Sequence, residues 1–326
     1  MKVPEPILVV ATHEPGEENP SATGSSKKAI GLAKSLTSGP VYVLSAEEVA
    51  DADGLTQAGA DVIFLPKADG YSPRVSEHVA DATRAAIKQV GDMAAVLTVA
   101  TYTGRALAAM VGVTEGAGAA VDVTEVNVED GALVAEKSAL GGTWVTRFQV
   151  DDGIPVLALR PGAGCEGTPG AGEVTDLEFG LEGPSKVVRV EKSEAEAKGG
   201  RVDPAEADVV VVVGRGVDGD MGAVLQLADE LGAGIGATRV ACDEGWVERS
   251  AQVGQTGLSI APKVYLGLGV SGQVHHTVGM LASENIAAVV DDPDAPVAEM
   301  ADFVVIGDVA EVVPQALEKL KELKDT

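Results

Sequence analysis

His275 and His276 follow a glycine-framed turn, where two imidazoles can donate hydrogen bonds to a neighbouring ligand or carry charge beside it. Residues 264–268 form a short apolar run without polar alternation, as expected of a strand covered on both faces, and Gly269 and Gly272 let the chain turn around Ser271. The spacing predicts a helix starting near Gly272 or Gln273. Its free N–H groups and the positive end of its dipole would face the crevice at the strand's carboxyl end, where open α/β sheets bind ligands. Upstream, Arg239 supplies a permanent charge, and Thr256, between Gly254 and Gly257, suits a loop whose backbone approaches a flat ligand closely. The competing readings are an ordinary strand–turn–helix corner with solvent-facing histidines, an arginine paired with Asp243 or Glu244 on the surface, and a plain glycine turn.

These residues need a sheet to hold them. Residues 209–213 are all valine, and Gly214, Gly216 and Gly219 match G-x-G-x-x-G ahead of a helical pattern over about 220–231. This has the form of a dinucleotide fingerprint. It lacks the acidic residue that should close a second strand, because Asp229 and Glu230 fall in the helix and Asp243 follows a glycine-broken segment, so NAD is not expected there.

The first half of the chain has a βαβ rhythm. Strands are expected at 7–11, 41–44, 62–65 and 94–99, and helices near 25–36, 73–90 and 104–110. From 119 to 159 the pattern changes to short alternating runs such as 132–137 and 143–150, which suggests an antiparallel extension. No GxxxxGK[ST] runs through 12–29, so that stretch reads as a strand-to-helix loop with Ser25 or Ser26 as the cap. Segments 101–110 and 140–144 read as surface and turn, with facing a partner or its cofactor as the alternative. The glycine- and proline-rich 161–174 reads as a flexible surface loop, and the polar 191–207 as the linker between domains 1–190 and 208–326. Residues 311–323 carry Val312, Ala316, Leu317, Leu320 and Leu323 at helical spacing, predicting a final amphipathic helix. The expected fold class is α/β with two domains: an N-terminal parallel sheet with an antiparallel extension, and a C-terminal doubly wound sheet.

At 326 residues and 45% hydrophobic content the chain is long and apolar enough to bury two cores. No run approaches about eighteen apolar residues, and the N-terminal stretch has one lysine, early prolines and acidic residues, so neither secretion nor a membrane-embedded segment is expected and the location read is cytoplasmic. A formal net charge of −26 makes nucleic acid and anionic membranes poor partners. With many Ala, Gly, Val and Asp, it suggests a surface adapted to a salt-rich cytoplasm, where screening within about 3 Å at about 1 M salt removes self-repulsion. Cys165 and Cys242 have no C-x-x-C spacing, so neither a metal site nor a disulfide framework is expected.

The segments 236–239 (GATR), 252–257 (QVGQTG), 262–280, 291–297 (DDPDAPV), 301–303 (ADF) and 307–314 (GDVAEVVP) form an ordered set. This set resembles the C-terminal, FAD-binding domain of the electron transfer flavoprotein large (alpha) subunit, over about 208–314. The order and size of the first half also resemble that family's first domain. The resemblance implies that Arg239 lies near the flavin ring, Thr256 reaches the ring nitrogen that takes up the electron and proton, and His276 approaches the pyrimidine carbonyl. Val253, Gly254 and Gln255 would line the flavin with their backbone, and Arg215, Thr238, Ser271, Gly272 and Asp308 would contact phosphates, ribose or adenine. Gln273, Val274, His275 and Val309 complete the implied FAD contacts. Val290 stands where the family usually has an asparagine, and His275 where glutamine is common.

The resemblance further implies an electron carrier rather than an enzyme, paired with a smaller (beta) subunit. It would shuttle electrons from flavoprotein dehydrogenases, the acyl-CoA dehydrogenases of fatty acid β-oxidation, to a membrane quinone oxidoreductase. Two alternatives stay open: an electron-bifurcating, NADH-oxidising form of the same heterodimer with a second flavin, and a nucleotide-binding regulatory α/β protein. Physical chemistry agrees with the ring contacts, since a singly reduced ring held as an anion needs positive charge and donors beside it. A buried guanidinium at ~4 Å, in an effective dielectric of ~20, is worth about 4 kcal/mol, whereas an exposed ion pair gives roughly 0.2–1 kcal/mol.

Overall fold

The computed structural model describes residues 2–13, 20–47, 51–140, 144–192 and 201–324. The chain divides into two compact units, Met1–Ala195 and Glu196–Thr326. Most of the expected linker's first part, 193–200, lies outside the described residues, as do 14–19 of the expected strand-to-helix loop and 141–143 of the expected turn at 140–144.

The first unit runs β1 (Ile7–Ala11), α1 (Gly24–Leu36), β2 (Val41–Ser45), α2 (Ala52–Ala58), β3 (Val62–Lys67), α3 (Ser76–Val90), β4 (Ala95–Val99), α4 (Tyr102–Thr114), β5 (Ala119–Glu129), β6 (Ala132–Ala139), β7 (Trp144–Gln149), β8 (Val156–Leu159) and β9 (Glu173–Glu178). Its nine-stranded sheet has the order β7-β6-β5-β8-β4-β1-β2-β3-β9. Strands β8, β4, β1, β2, β3 and β9 are parallel, and β5, itself parallel to β8, starts the antiparallel β5–β6–β7 extension. β1 shows why polar alternation is missing. Ile7, Val9 and Ala11 pack on one face with Ile30 and Ala33 of α1, while Leu8 and Val10 pack on the other with Val79 and Ala86 of α3. Each valine, leucine or isoleucine among them contributes about 1.5–3 kcal/mol of transfer free energy.

Local expectations are corrected at several points. The α1 cap is Thr23, whose extended backbone lets its Oγ1 accept from Ser26 N at 3.2 Å, whereas Ser25 and Ser26 are buried inside the helix. α3 starts at Ser76, after a turn in which Val75 N donates to Ser72 O. α4 runs two residues earlier and four later than its periodic core because Thr101 caps it, accepting from Gly104 N at 3.1 Å. α2 and β9 were not anticipated. The segment 161–174 is no free loop: Cys165 N donates to Lys28 O, Gly170 N to Thr56 O and Gly172 N to Ala60 O before the chain enters β9. These bonds tie it across α1 and α2, which its many glycines permit by letting backbone approach backbone.

The second unit runs β10 (Val209–Val213), α5 (Met221–Leu231), β11 (Gly234–Ala237), α6 (Arg239–Asp243), β12 (Val264–Leu268), α7 (Val274–Thr277), β13 (Asn285–Val290), α8 (Pro296–Met300), β14 (Phe303–Ile306) and α9 (Val309–Lys324). All its paired strands are parallel, in the order β11-β10-β12-β13-β14. The five valines of β10 divide between two cores: Val211 and Val213 meet α5 and α9 through Val224, Leu227, Val313 and Leu317, while Val210 and Val212 meet Tyr265, Val253 and Ile260. The terminal helix docks as its pattern predicts, except that Leu323 is exposed. Among the described residues, no helix is long and apolar enough to cross a membrane, and no group of three or more His, Cys, Asp or Glu is disposed to hold a metal ion.

Candidate functional site

The order β11-β10-β12-β13-β14 places the chain's second and third strands of this unit on opposite sides of the first, so their carboxyl ends diverge at β10 and β12. A doubly wound sheet opens its ligand crevice at that point. A cleft of about 800 Å³ lies there. Its floor is the contact between the loops leaving the two strands. Gly214 N donates to Leu268 O at 2.8 Å and Gly216 N to Gly269 O at 3.1 Å, and a Cβ added to Gly269 would stand 2.5 Å from Gly216 Cα. The first two glycines of the G-x-G-x-x-G spacing therefore serve loop-to-loop packing under the cleft, while Gly219 lies against Trp246.

Of the expected contacts, Arg215, Thr238, Arg239, Val253, Gln255, Thr256, Ser271, Gly272, Gln273, His275 and His276 all line this cleft. Gly254 and Val274 do not. Gly254 is buried in the turn behind it, and Val274, 55% exposed, points off α7. Asp308 and Val309 are also absent from the cleft wall. Asp308 Oδ1 accepts from Ala310 N at the start of α9, and Val309 is buried in the core beneath that helix. The helix expected after Gly272 is a single turn of four residues, so little dipole reaches the crevice.

What α7 does instead is clamp the turn at 253–257. Gln255 N donates to His275 O at 2.8 Å, and His275 Nδ1 meets Gln255 Oε1 at 2.8 Å. His276 Nδ1 meets Val253 O at 3.1 Å, and its Nε2 meets Tyr265 Oη at 2.9 Å. Both ring nitrogens of the buried His276 are thus engaged by the protein itself, and burial lowers its pKa to about 4, partly offset by the Val253 carbonyl. Burial thus favours the uncharged imidazole at this position near neutral pH.

Charge in the cleft comes from Arg215 and Arg239, set against Asp291 and Asp292 at the end of β13. Arg239 is not buried. Its side chain is 70% exposed and its Nε lies 3.4 Å from Asp243 Oδ2, a carboxylate it shares with Arg249. Arg239 thus pairs with Asp243 at the surface and also lines the cleft. Solvent screens this guanidinium, so its attraction for a nearby anion is that of an exposed charge and not the stronger one of a buried charge. Sequence reasoning gave no role to Gln252 or to the two aspartates. Gln252 is buried, its Nε2 donates to Thr256 Oγ1 at 3.0 Å, and its Oε1 has no partner among the described residues. No periodicity signals this, because an unpaired acceptor is defined by neighbours distant in sequence. Asp291 and Asp292 were visible within DDPDAPV, and their position at a strand end was the missing signal.

The Gln252 oxygen is closed off inside the wall, and an unpaired buried acceptor of this kind costs about 1–3 kcal/mol. With the apolar Val253 and Val270 and two guanidiniums along its walls, the cleft fits a flat ring carrying phosphates, which is the chemistry of FAD.

Comparison with known proteins agrees. Residues 203–281 match the model of the electron transfer flavoprotein FAD-binding domain, and residues 7–180 match that of the electron transfer flavoprotein domain. The electron transfer flavoprotein subunit alpha of Mycobacterium leprae is 38% identical over 279 residues, covering 83% of this chain and 85% of the relative. That of Thermoanaerobacterium thermosaccharolyticum is 31% identical, covering 83% of each chain. The mitochondrial one of Oryza sativa subsp. indica is 31% identical and covers 99% of this chain and 93% of the relative. With its FAD-binding domain over 203–281 and its first domain over 7–180, the chain belongs to the electron transfer flavoprotein family, in the lineage of alpha subunits.

Proposed function

We propose that the chain holds one FAD in the cleft at the carboxyl ends of β10 and β12 and works as an electron carrier with a smaller beta subunit. The single observation that carries this reading is the cleft itself: the guanidiniums of Arg215 and Arg239 with the apolar Val253 and Val270, inside the stretch that matches the FAD-binding domain. When bound, FAD supplies reversible uptake of one or two electrons. In this reading Arg215 and the backbone of Ser271, Gly272 and Gln273 hold the phosphates. Thr256 and the 253–257 turn bear on the ring, Gln252 holds Thr256 from behind, and Arg239 supplies positive charge at the ring's edge. Gly254 and Val274 act from behind the wall by shaping the turn and α7. Asp308 and Val309 hold the start of α9 and reach the adenine end only indirectly. Asp291, beside the apolar Val290, takes the hydroxyl-binding part that a polar residue at 290 would have filled.

Electron donors in this reading are flavoprotein dehydrogenases, with acyl-CoA dehydrogenases of fatty acid β-oxidation as the class, and the acceptor is a membrane quinone oxidoreductase. The cytoplasm is the proposed location. The test is the visible spectrum of the chain co-expressed with its partner: flavin absorbance is expected, and a colourless pair would overturn the reading in favour of a regulatory nucleotide-binding protein. Adding NADH then separates the carrier from the bifurcating form, since the carrier's flavin should stay oxidised.

Arg239→Ala should leave the fold intact and lower the one-electron potential. Because the guanidinium is exposed and shared with Asp243, its contribution is about 1 kcal/mol, or roughly 40 mV. Thr256→Val should shift the potential by a similar or smaller amount, as one neutral hydrogen bond contributes about 0.5–1.5 kcal/mol. A reductive titration checks both, and a curve for Arg239→Ala superimposable on the parent's would reject the role given to that side chain.

A further inference from the structure

Tyr265 is fully buried at the second position of β12, and its ring lies forward along the strand over Gly267, where an added Cβ would meet Cε1 at 3.0 Å and Oη at 3.3 Å. That placement brings Oη to His276 Nε2 at 2.9 Å, eleven residues on. The other ring nitrogen, Nδ1, lies 3.1 Å from Val253 O. A carbonyl oxygen only accepts, so Nδ1 carries the hydrogen, and Nε2 of the neutral ring accepts from the phenol. A doubly protonated ring would turn Tyr265 Oη into the acceptor and leave the phenol hydrogen without a partner in a fully buried place.

We propose that Tyr265 is a positioning residue: its hydroxyl holds His276 as the Nδ1–H tautomer, and that N–H in turn pins the Val253 carbonyl so that the 253–257 turn keeps its approach to the cleft. Burial pushes the Tyr265 phenol well above its ordinary pKa, so it stays a donor. The groups around the imidazole agree with a neutral ring. β12 offers the phenol, the turn the uncharged Gln252, Gln255 and Thr256, and α7 His275, while the cleft's charged groups are the cations Arg215 and Arg239 and the carboxylates Asp291 and Asp292. His276 thus works as a strut rather than as a charge. The part of the proposal that concerns ligand affinity rests on the FAD reading above; the part that concerns the tautomer does not.

The experiment is ring-15N spectroscopy of the full chain with its bound FAD and 15N-labelled histidine. The chain has four histidines, and the His276 signals are assigned by their loss in His276→Gln. The parent should show a protonated Nδ1 and an unprotonated Nε2, constant over about pH 5–8. In Tyr265→Phe the Nε2 signal should move, and FAD should bind about 2- to 10-fold more weakly. Identical His276 signals in Tyr265→Phe and parent would overturn the proposal, because a purely structural phenol would change stability but not the tautomer. If Tyr265→Phe does not fold, the parent spectrum decides: hydrogen on Nε2, or titration within the window, overturns the proposal. A parent that carries no flavin rejects the FAD reading, and the tautomer still decides the role of Tyr265.

Discussion

Gly254→Ala is expected to abolish retention of FAD while leaving most of the second unit folded. Gly254 has φ +139°, a region that side-chain-bearing residues enter at a cost of about 1–3 kcal/mol. An added Cβ would also stand 2.5 Å from His275 O and 3.3 Å from His276 Cα. Neither neighbour can yield cheaply. His275 O accepts the Gln255 N–H, and His276 is held at both ring nitrogens, so relief must come from moving the turn away from α7. The turn carries Val253, Gln255 and Thr256 into the cleft, so the strain converts directly into lost binding. A combined cost on the order of 3 kcal/mol corresponds to at least a hundredfold weaker binding. Equilibrium titration of the apoprotein with FAD measures this, and binding within about threefold of the parent would mean that the 253–257 turn does not touch the ligand.

Acid should destabilise the two units through one buried histidine each. His13, at the carboxyl end of β1, and His276, on α7, both have pKa values lowered to about 4 from 6.5, burial being the main cause in each. Around His13 the charges of Lys27 and Arg74 add to the depression and Asp51 opposes it. Its Nε2 meets Ser45 Oγ at 3.3 Å, and its Nδ1 has no partner among the described residues.

The sign follows from proton uptake. Above pH 6.5 the folded and unfolded chains both hold neutral rings and the full stability is present. As pH falls towards 4 the unfolded chain binds protons that the folded one refuses, and stability falls by about 3 kcal/mol per histidine. Neutralising carboxylates relieves part of the repulsion from a net charge of −26 and works the other way, so the comparison must be made with variants. His276→Gln should flatten the pH dependence of the second unit's urea midpoint between pH 7 and 4.5, and His13→Gln that of the first unit. Midpoints that fall as steeply in these variants as in the parent would show that other groups bind the protons.

Regular elements with unbroken apolar runs were legible from the sequence alone. β1 and β10 stand where their patterns put them because both faces are buried, and a run such as VVVVV has no other stable use in a chain of this composition. β9 was missed because it is an edge strand with only Leu177 buried, so EVTDLE shows no apolar period. α2 is a seven-residue helix set by the Asp51 cap and by packing on α1, both tertiary decisions. At the site, residue types and order gave the cleft wall but not the state of its members. That Arg239 is exposed, that His276 is neutral, and that Gln252 keeps an unpaired oxygen all depend on neighbours brought together across β10, β12 and the turn.

The lone oxygen of Gln252 has a consequence for how the wall is held. An amide that shuts one acceptor away from water and from every described donor carries a standing penalty, so what fixes this side chain is its other end, the bond from Nε2 to Thr256 Oγ1, and the wall's rigidity depends on that single link.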